Sequence, residues 1–171
     1  MKLLHDWGFT REGWRSGERG EYWVLLQGVL LVGFVLVPAY RPMDGRIDSP
    51  TLLYLCWGLS AVLALVGVLF IVKGLVDLGG NLTPLPYPKS EGQLVRSGVY
   101  AIVRHPLYSG LICAALSWTV FQLSLSHLVA TIVLFVFLDA KARKEEVWLT
   151  QKYPEYSDYQ QQVKKLIPGL Y

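Results

Sequence analysis

Residues 22–40 carry no charged side chain, and neither do residues 52–72. Each run is about the 20 residues that a helix needs to cross a hydrocarbon core. A third apolar region, residues 106–138, is uncharged apart from His127. As one helix it would run roughly 50 Å, against a core about 30 Å thick. Two short spans fit better than one steeply tilted span. The polar stretch Gln122-Leu123-Ser124-Leu125-Ser126-His127 is the place for the turn, with Ser126 as the expected cap of the second helix. The expected fold is all-α and integral to a membrane, with four transmembrane helices, the last two a hairpin.

Composition agrees. Hydrophobic residues make up 53% and charged residues 17% of 171 residues, against about 25% charged in a typical soluble domain. With a mean hydropathy of +0.36, the chain has ample apolar surface to bury, which excludes disorder. One water-facing core of this length cannot hide so much apolar surface. The net charge of +3 is small and scattered, which speaks against a nucleic-acid partner. Cys56 and Cys113 both sit in apolar runs without metal-ligand spacing, so they read as small buried hydrophobes, and no metal site is expected. The first 20 residues are too long and too mixed in charge for a signal-peptide head, so the first apolar run reads as a retained anchor. Nothing resembles a linker, and residues 1–171 read as a single domain.

Lys and Arg orient the spans. Four precede the first span: Lys2, Arg11, Arg15 and Arg19. Arg41 and Arg46 lie between spans one and two. Lys73, Lys89, Arg96 and Arg104 follow span two, and six more follow the last span. With four spans, one side collects all but Arg41 and Arg46, so both termini are expected in the cytoplasm. The hairpin would also return the Arg104-His105 pair and the charged run after Leu138 to one membrane face.

The loop at 73–104 is more than a linker. Pro84, Pro86 and Pro88 alternate, which favours stiff, extended backbone, and residues 93–103 read as an ordered loop packed over the bundle. Next comes Arg104-His105-Pro106-Leu107-Tyr108-Ser109-Gly110. Pro106 suits the first position of a helix and pushes His105 out of helical geometry, so His105 falls at or near the N-cap. A helix N-terminus beside Arg104 suits a carboxylate or phosphate. Taken alone, the same residues also describe an ordinary membrane boundary with a snorkelling arginine and an interfacial tyrosine.

Beyond Leu138 the run Asp139-Ala140-Lys141-Ala142-Arg143-Lys144-Glu145-Glu146 has no helix breaker, so the last span should continue as one long helix. Lys141 and Glu145 are i, i+4 neighbours, and Asp139, Arg143 and Glu146 share a side. Glu145 and Glu146 diverge by about 100° and cannot share one job. The run is either a solvated, salt-bridged helix end or a carboxylate aimed at a ligand. Tyr153, Tyr156 and Tyr159 then form a stripe. It reads first as an aromatic belt on an interfacial helix, with a tyrosine lid over a ligand as the sharper alternative. No nucleophile elbow, phosphate-binding glycine loop, HExxH or CxxC motif is present.

Taken in order, these pieces resemble the isoprenylcysteine carboxyl methyltransferase and phospholipid methyltransferase superfamily. The resemblance covers about residues 78–171. It is carried by Leu94-Val95-x-x-Gly98-x-Tyr100, Arg104-His105-Pro106-x-Tyr108-x-Gly110, Glu145-Glu146-x-x-Leu149 and Tyr156-x-x-Tyr159 with Ile167-Pro168. It implies a membrane enzyme that takes a methyl group from S-adenosylmethionine, in a pocket formed by the cytoplasmic loop and the C-terminal helix. The residues it assigns to the cofactor are Leu94, Val95, Gly98, Tyr100, His105, Pro106, Leu107, Tyr108, Glu145 and Glu146. Lys141 takes the place of a basic residue implicated in substrate binding, with Arg143 as a rival; Lys141 and Arg104 are the expected catalytic residues, Arg104 meeting the cofactor's carboxylate together with His105 and the helix N-terminus. The acceptor would be lipidic or small. The membrane would be the inner membrane of a bacterium or the endoplasmic reticulum of a eukaryote.

Two competing classes remain. A membrane sterol or enone reductase using NADPH shares a similar C-terminal half, but the run from Lys141 to Glu146 has too few arginines for a 2′-phosphate clamp. A non-enzymatic scaffold is the other, although the spans carry almost no ionisable residue that would mark a transport pathway.

Overall fold

The computed structural model describes Trp7, residues 11–42 and residues 49–171. Lys2 and Arg46, which the charge count used, lie outside the described residues. The helices are α1 (Arg11–Ser16), α2 (Glu21–Leu36), α3 (Pro50–Leu78), α4 (Pro106–Gln122), α5 (Leu125–Lys152) and α6 (Tyr156–Gln162). Single 3-10 turns occupy Gly79–Asn81 and Gly98–Ala101. Among the described residues the one extended pairing is an isolated parallel bridge between Val103 and Lys164.

The helix ends follow local chemistry. α2 stops at Leu36, short of the full apolar run, because Pro38 pushes Val37 into extended backbone. α3 starts with Pro50 at its first turn and Ser49 as cap, and runs past the apolar stretch to Leu78, where Gly79 at φ 50° ends it. Pro50–Asn81 and Leu125–Lys152 are long and apolar enough to cross a membrane, and Glu21–Leu36 is a shorter apolar helix. On α3, Leu55, Leu59, Val62, Leu65, Val68 and Val72 all stand exposed. So large an apolar surface suits a lipid solvent.

α4 and α5 form the expected hairpin through Leu123, which adopts left-handed backbone at φ 50°, and Ser124. The cap is Ser124, not Ser126: its side chain accepts the His127 N–H. Ser126 instead donates to the Pro38 carbonyl at 2.6 Å and accepts the Tyr40 N–H, tying the turn to the end of α2. The helix therefore starts two residues earlier than the sequence suggested. Lower in the hairpin, Trp118 Nε1 donates to His127 Nε2 and Thr119 pairs with Thr131. These contacts align α4 antiparallel to α5.

α3 lies against α4 through backbone. A Cβ on Gly67 would come within 2.9 Å of the Gly110 carbonyl, and a Cβ on Gly110 would meet Ile71 at 2.6 Å. Small residues that let backbones touch are the usual device for helix pairing in lipid. Ser60 and Ser117 add hydrogen bonds across the same seam. α2 packs on α5, with Trp23 against Phe137 at 5.5 Å between ring centroids and Phe34 edge-on to His127. The buried centre is Ala115, Leu134, Phe137 and Leu138. This packing holds the start of α4, the far end of α5 and the 79–103 loop around one cavity.

Candidate functional site

The cavity has a volume of about 510 Å³. The 81–95 loop and Tyr153, Tyr156 and Tyr159 form one end of its lining. Val24, Gly28 and Leu31 of α2, Ile71 of α3, and Leu107 and Leu111 of α4 form an apolar end. Tyr100, Arg104, His105, Pro106, Tyr108, Lys141 and Glu145 line the cavity as well. Leu94 and Val95 also line it. Gly98 and Glu146 do not belong to its wall.

His105 is the N-cap of α4 with Pro106 at the first helical position. Its ring stacks on Tyr108 at 5.4 Å with parallel planes. Its backbone is fixed from the C-terminal segment: the Arg104 N–H donates to the Lys164 carbonyl at 2.8 Å and the His105 N–H to Lys165 at 3.1 Å. Its Nε2 lies 3.1 Å from Glu146 Oε1 and its Nδ1 3.7 Å from Glu145 Oε2.

The two adjacent carboxylates separate as their helical phase demands. Glu146 is buried and taken up by protein: Arg104 Nε at 2.8 Å, His105 Nε2 and Gln160 Nε2 at 3.2 Å. Glu145 is half-buried, faces the cavity and has a single hydrogen bond among the described residues, from the Tyr108 phenol at 2.9 Å. Glu145 is therefore the carboxylate available to a ligand.

Arg104 does not snorkel. Beyond Glu146, its Nη1 donates to the Gln160 carbonyl at 3.1 Å and to the Val163 carbonyl, which places a cation on the C-terminal end of α6. Snorkelling fails because a buried acid and unsatisfied helix carbonyls lie within reach. Arg104 thus acts on the site through His105 and Glu146.

Lys141 is not part of a solvated helix end. It is 2% exposed and donates to Gln27 Oε1 at 2.6 Å and to the Pro84 carbonyl at 3.2 Å. Arg143, its rival, is on the outer side, bonded to Asp139 at 2.7 Å and to Tyr171.

The tyrosine stripe faces inward, contrary to the aromatic-belt reading. Tyr156 and Tyr159 are buried, and all three tyrosines line the cavity. The Tyr159 phenol donates to the Tyr100 carbonyl, and the Tyr153 phenol to the Gly92 carbonyl at 2.6 Å. The Val103–Lys164 bridge draws α6 over the site. Burial pushes the phenols of Tyr100, Tyr156 and Tyr159 up, with Glu145 adding to the first and Glu146 to the second. All three remain neutral donors at physiological pH.

The sequence profile of phospholipid methyltransferases matches residues 55–156, which include most of the residues lining this cavity. The chain belongs to that family. It is 30% identical over 167 residues to methanethiol S-methyltransferase of Pseudomonas deceptionensis, covering 90% of this chain and 60% of that protein. It is also 32% identical over 113 residues to a probable protein-S-isoprenylcysteine O-methyltransferase of Oryza sativa, covering 64% of this chain and 59% of that protein. The chain thus spans about 60% of the length of the curated relatives it matches. Family membership and the long apolar helices together make it a membrane protein.

Two residues of this phospholipid methyltransferase family member were missed in the sequence. Asp77 accepts the Val99 N–H at 2.9 Å and so anchors the turn that carries Tyr100. Gly98 serves that contact, with φ 63° and no room for a Cβ against the Asp77 carboxylate. The signal was Asp77 one turn after Lys73, its ion-pair partner at 3.3 Å. Gln27 is the other: a lone amide in an apolar span, with no local motif to mark it.

Proposed function

We propose that this chain is an integral membrane methyltransferase that moves a methyl group from S-adenosylmethionine to a lipidic or small acceptor. Both the family and the cavity support this. The cavity falls within the range of small-molecule sites, about 300–1,000 Å³. The observation that carries the reading is Glu145, a half-buried carboxylate with one oxygen held by Tyr108 and the rest of its capacity turned to the cavity. An ammonium or ribose hydroxyl finds its partner there. The rings of His105 and Tyr108, the phenol of Tyr100, and Leu94, Val95, Pro106 and Leu107 would enclose the remainder of the cofactor. Bound there, S-adenosylmethionine supplies an activated methyl group.

The protein's own share is alignment and exclusion of water. Gly98 and Glu146 act indirectly, Gly98 by admitting Asp77 and Glu146 by holding His105 and Arg104. Arg104 is a positioning residue, and Lys141 faces the acceptor. The apolar end opens the site to molecules dissolved in the bilayer, while the loop end faces the cytoplasm in a four-span arrangement with both termini inside.

Titration with S-adenosylhomocysteine in detergent tests the reading. Micromolar affinity is expected, on the order of 8 kcal/mol. Tight NADPH binding without a response to S-adenosylhomocysteine would instead favour a reductase.

A further inference from the structure

We infer that the outer face of α5 holds an anionic phospholipid with a hydroxylated headgroup, in a groove separate from the cavity. The inference needs the membrane, not the methyl transfer.

The groove has a volume of about 540 Å³ and is lined by Arg143, Glu146, Val147, Thr150, Gln151 and Gln160. None of these six lines the cavity. Arg143, Val147 and Thr150 are four and three residues apart, so they share one side of α5. Continued toward the hairpin turn, the same spacing passes through Val136, Val133 and Val129, which all stand exposed. That stripe suits lipid, and the groove lies where it leaves the hydrocarbon. Asp139 is the first charge beyond it, and Arg143 stands one turn, about 6 Å, further along. A headgroup layer adds roughly 5–7 Å to each side of the hydrocarbon core, so Arg143 falls at headgroup depth.

Charge selects the sign of the ligand. Asp139 is shared by Arg143 at 2.7 Å and Lys165 at 2.9 Å, which leaves the cluster with one positive charge in excess. Glu146, the other charge on the groove, is spent on Arg104 and His105. A guanidinium has five N–H donors. Among the described residues, Asp139 and the Tyr171 phenol take one each from Arg143. The remaining donors sit on an exposed side chain and suit phosphate oxygens.

The rest of the groove selects the headgroup. The Gln160 amide donates to Glu146 Oε2 at 3.2 Å, and its own side-chain oxygen has no partner among the described residues. The Thr150 hydroxyl donates to the Glu146 carbonyl at 2.8 Å and keeps its lone pairs. These oxygens, with the exposed Gln151 amide, call for O–H donors beyond the phosphate. A choline head has no donor. An ethanolamine head brings its own ammonium and leaves the excess charge unmatched. A glycerol head on a phosphodiester supplies one negative charge and two hydroxyls. Bound there, the lipid would bridge α5 to α6 through Gln160, with its chains along the valine stripe.

The test uses the full chain, stripped of lipid in detergent, and native mass spectrometry of the lipids it retains. Wild type should hold dioleoylphosphatidylglycerol about tenfold better than the phosphatidylcholine or phosphatidylethanolamine analogue, the scale of one charged hydrogen bond. Arg143→Gln should bring that preference below about twofold, because the phosphate then meets no guanidinium. Lys144→Gln is the matched control. It removes the neighbouring cation, which lies over the Trp148 ring at 4.7 Å and off the groove, and the preference should persist. Equal loss in the two variants is general attraction to a basic surface and overturns the site. Dioleoylphosphatidylmethanol carries the same charge without a hydroxyl and should be held at least about fivefold less well, the scale of a neutral hydrogen bond. Equal retention overturns the headgroup, and free glycerol phosphate that displaces the lipid at equal concentration overturns the lipid as its source. If Arg143→Gln fails to fold, Thr150→Val decides. It should erase most of the preference for phosphatidylglycerol over phosphatidylmethanol, and an unchanged preference overturns the proposal. No readout here uses a cofactor, so failure leaves the methyltransferase reading standing.

Discussion

The Tyr108 phenol donates to Glu145 Oε2 at 2.9 Å, joining the first turn of α4 to the far end of α5 across a gap of 37 residues in sequence. The same phenol ring stacks on His105, which lies between Glu145 and Glu146. Through this relationship one carboxylate is presented to the cavity while its neighbour is consumed by the protein.

Glu145→Gln should therefore weaken S-adenosylhomocysteine binding by roughly 1–3 kcal/mol, the value of a hydrogen bond to a charged group. Tyr108→Phe should cost less, about 1 kcal/mol, because it removes only the orienting bond. Isothermal titration on both variants measures this. Wild-type affinity in Glu145→Gln would remove the carboxylate from the ligand's contacts.

Arg104→Ala should lower stability by about 3–5 kcal/mol, because it leaves the Glu146 carboxylate buried without its main partner. Arg104→Met combined with Glu146→Leu should recover much of that loss, since a buried pair often contributes little over an apolar pair. Denaturant or thermal unfolding in one detergent gives the comparison. A double variant as unstable as the single one would show that the ion pair is needed for more than charge balance.

Gly98→Ala should destabilise the fold and loosen the cofactor end, since a Cβ there collides with Asp77 and the backbone is left-handed. The expected cost exceeds 1 kcal/mol, above the ~0.4–1 kcal/mol that ordinary Gly→Ala changes move in either direction. Gly80→Ala is the matched control, because nothing lies within 4 Å of its Cβ. Melting temperatures and S-adenosylhomocysteine titration of the two variants decide it. Equal behaviour would sink the assigned role of the Asp77 contact.

Topology is open to crosslinking. The Lys152 ammonium donates to the Ser90 carbonyl at 3.0 Å and to that of Lys89, whereas Arg41 bonds Gln122 at the hairpin turn. Cysteines at 89 and 152 should label from the same side of the membrane and crosslink, with a cysteine at 41 labelling from the other. Labelling of 89 and 152 from opposite sides would dismantle the hairpin and the shared site.

The hairpin was legible because residues 106–138 are too long for one crossing and contain one polar interruption. The His105 cap was legible because a proline restricts both itself and its predecessor. Helical phase also separated Glu145 from Glu146, though not which of them would face the cavity. The rest depends on tertiary contact. Ser124 and Ser126 are equivalent as local caps, and only the nearness of Pro38 and Tyr40 assigns them. Arg104 reads as a snorkelling side chain until Glu146 arrives from 42 residues away. Gln27 acquires meaning only from Lys141, 114 residues on. The tyrosine stripe has the composition of a membrane belt, and the backbone bridge at Lys164 turns it inward.

That bridge makes no use of side chains. The amides of Arg104 and His105 bond to the carbonyls of Lys164 and Lys165, and the Lys164 side chain stands exposed. Substitutions at Lys164 therefore leave the pairing untouched, whereas Lys165 is held by its ion pair to Asp139 at 2.9 Å. The length of the segment cannot drift. A single residue inserted between Tyr159 and Lys164 would move the register by one step, strip both amides of their acceptors and carry the Arg104 contacts at Gln160 and Val163 apart. Among relatives, the position of Lys164 should tolerate almost any spelling, while the stretch from 159 to 164 should keep its number of letters.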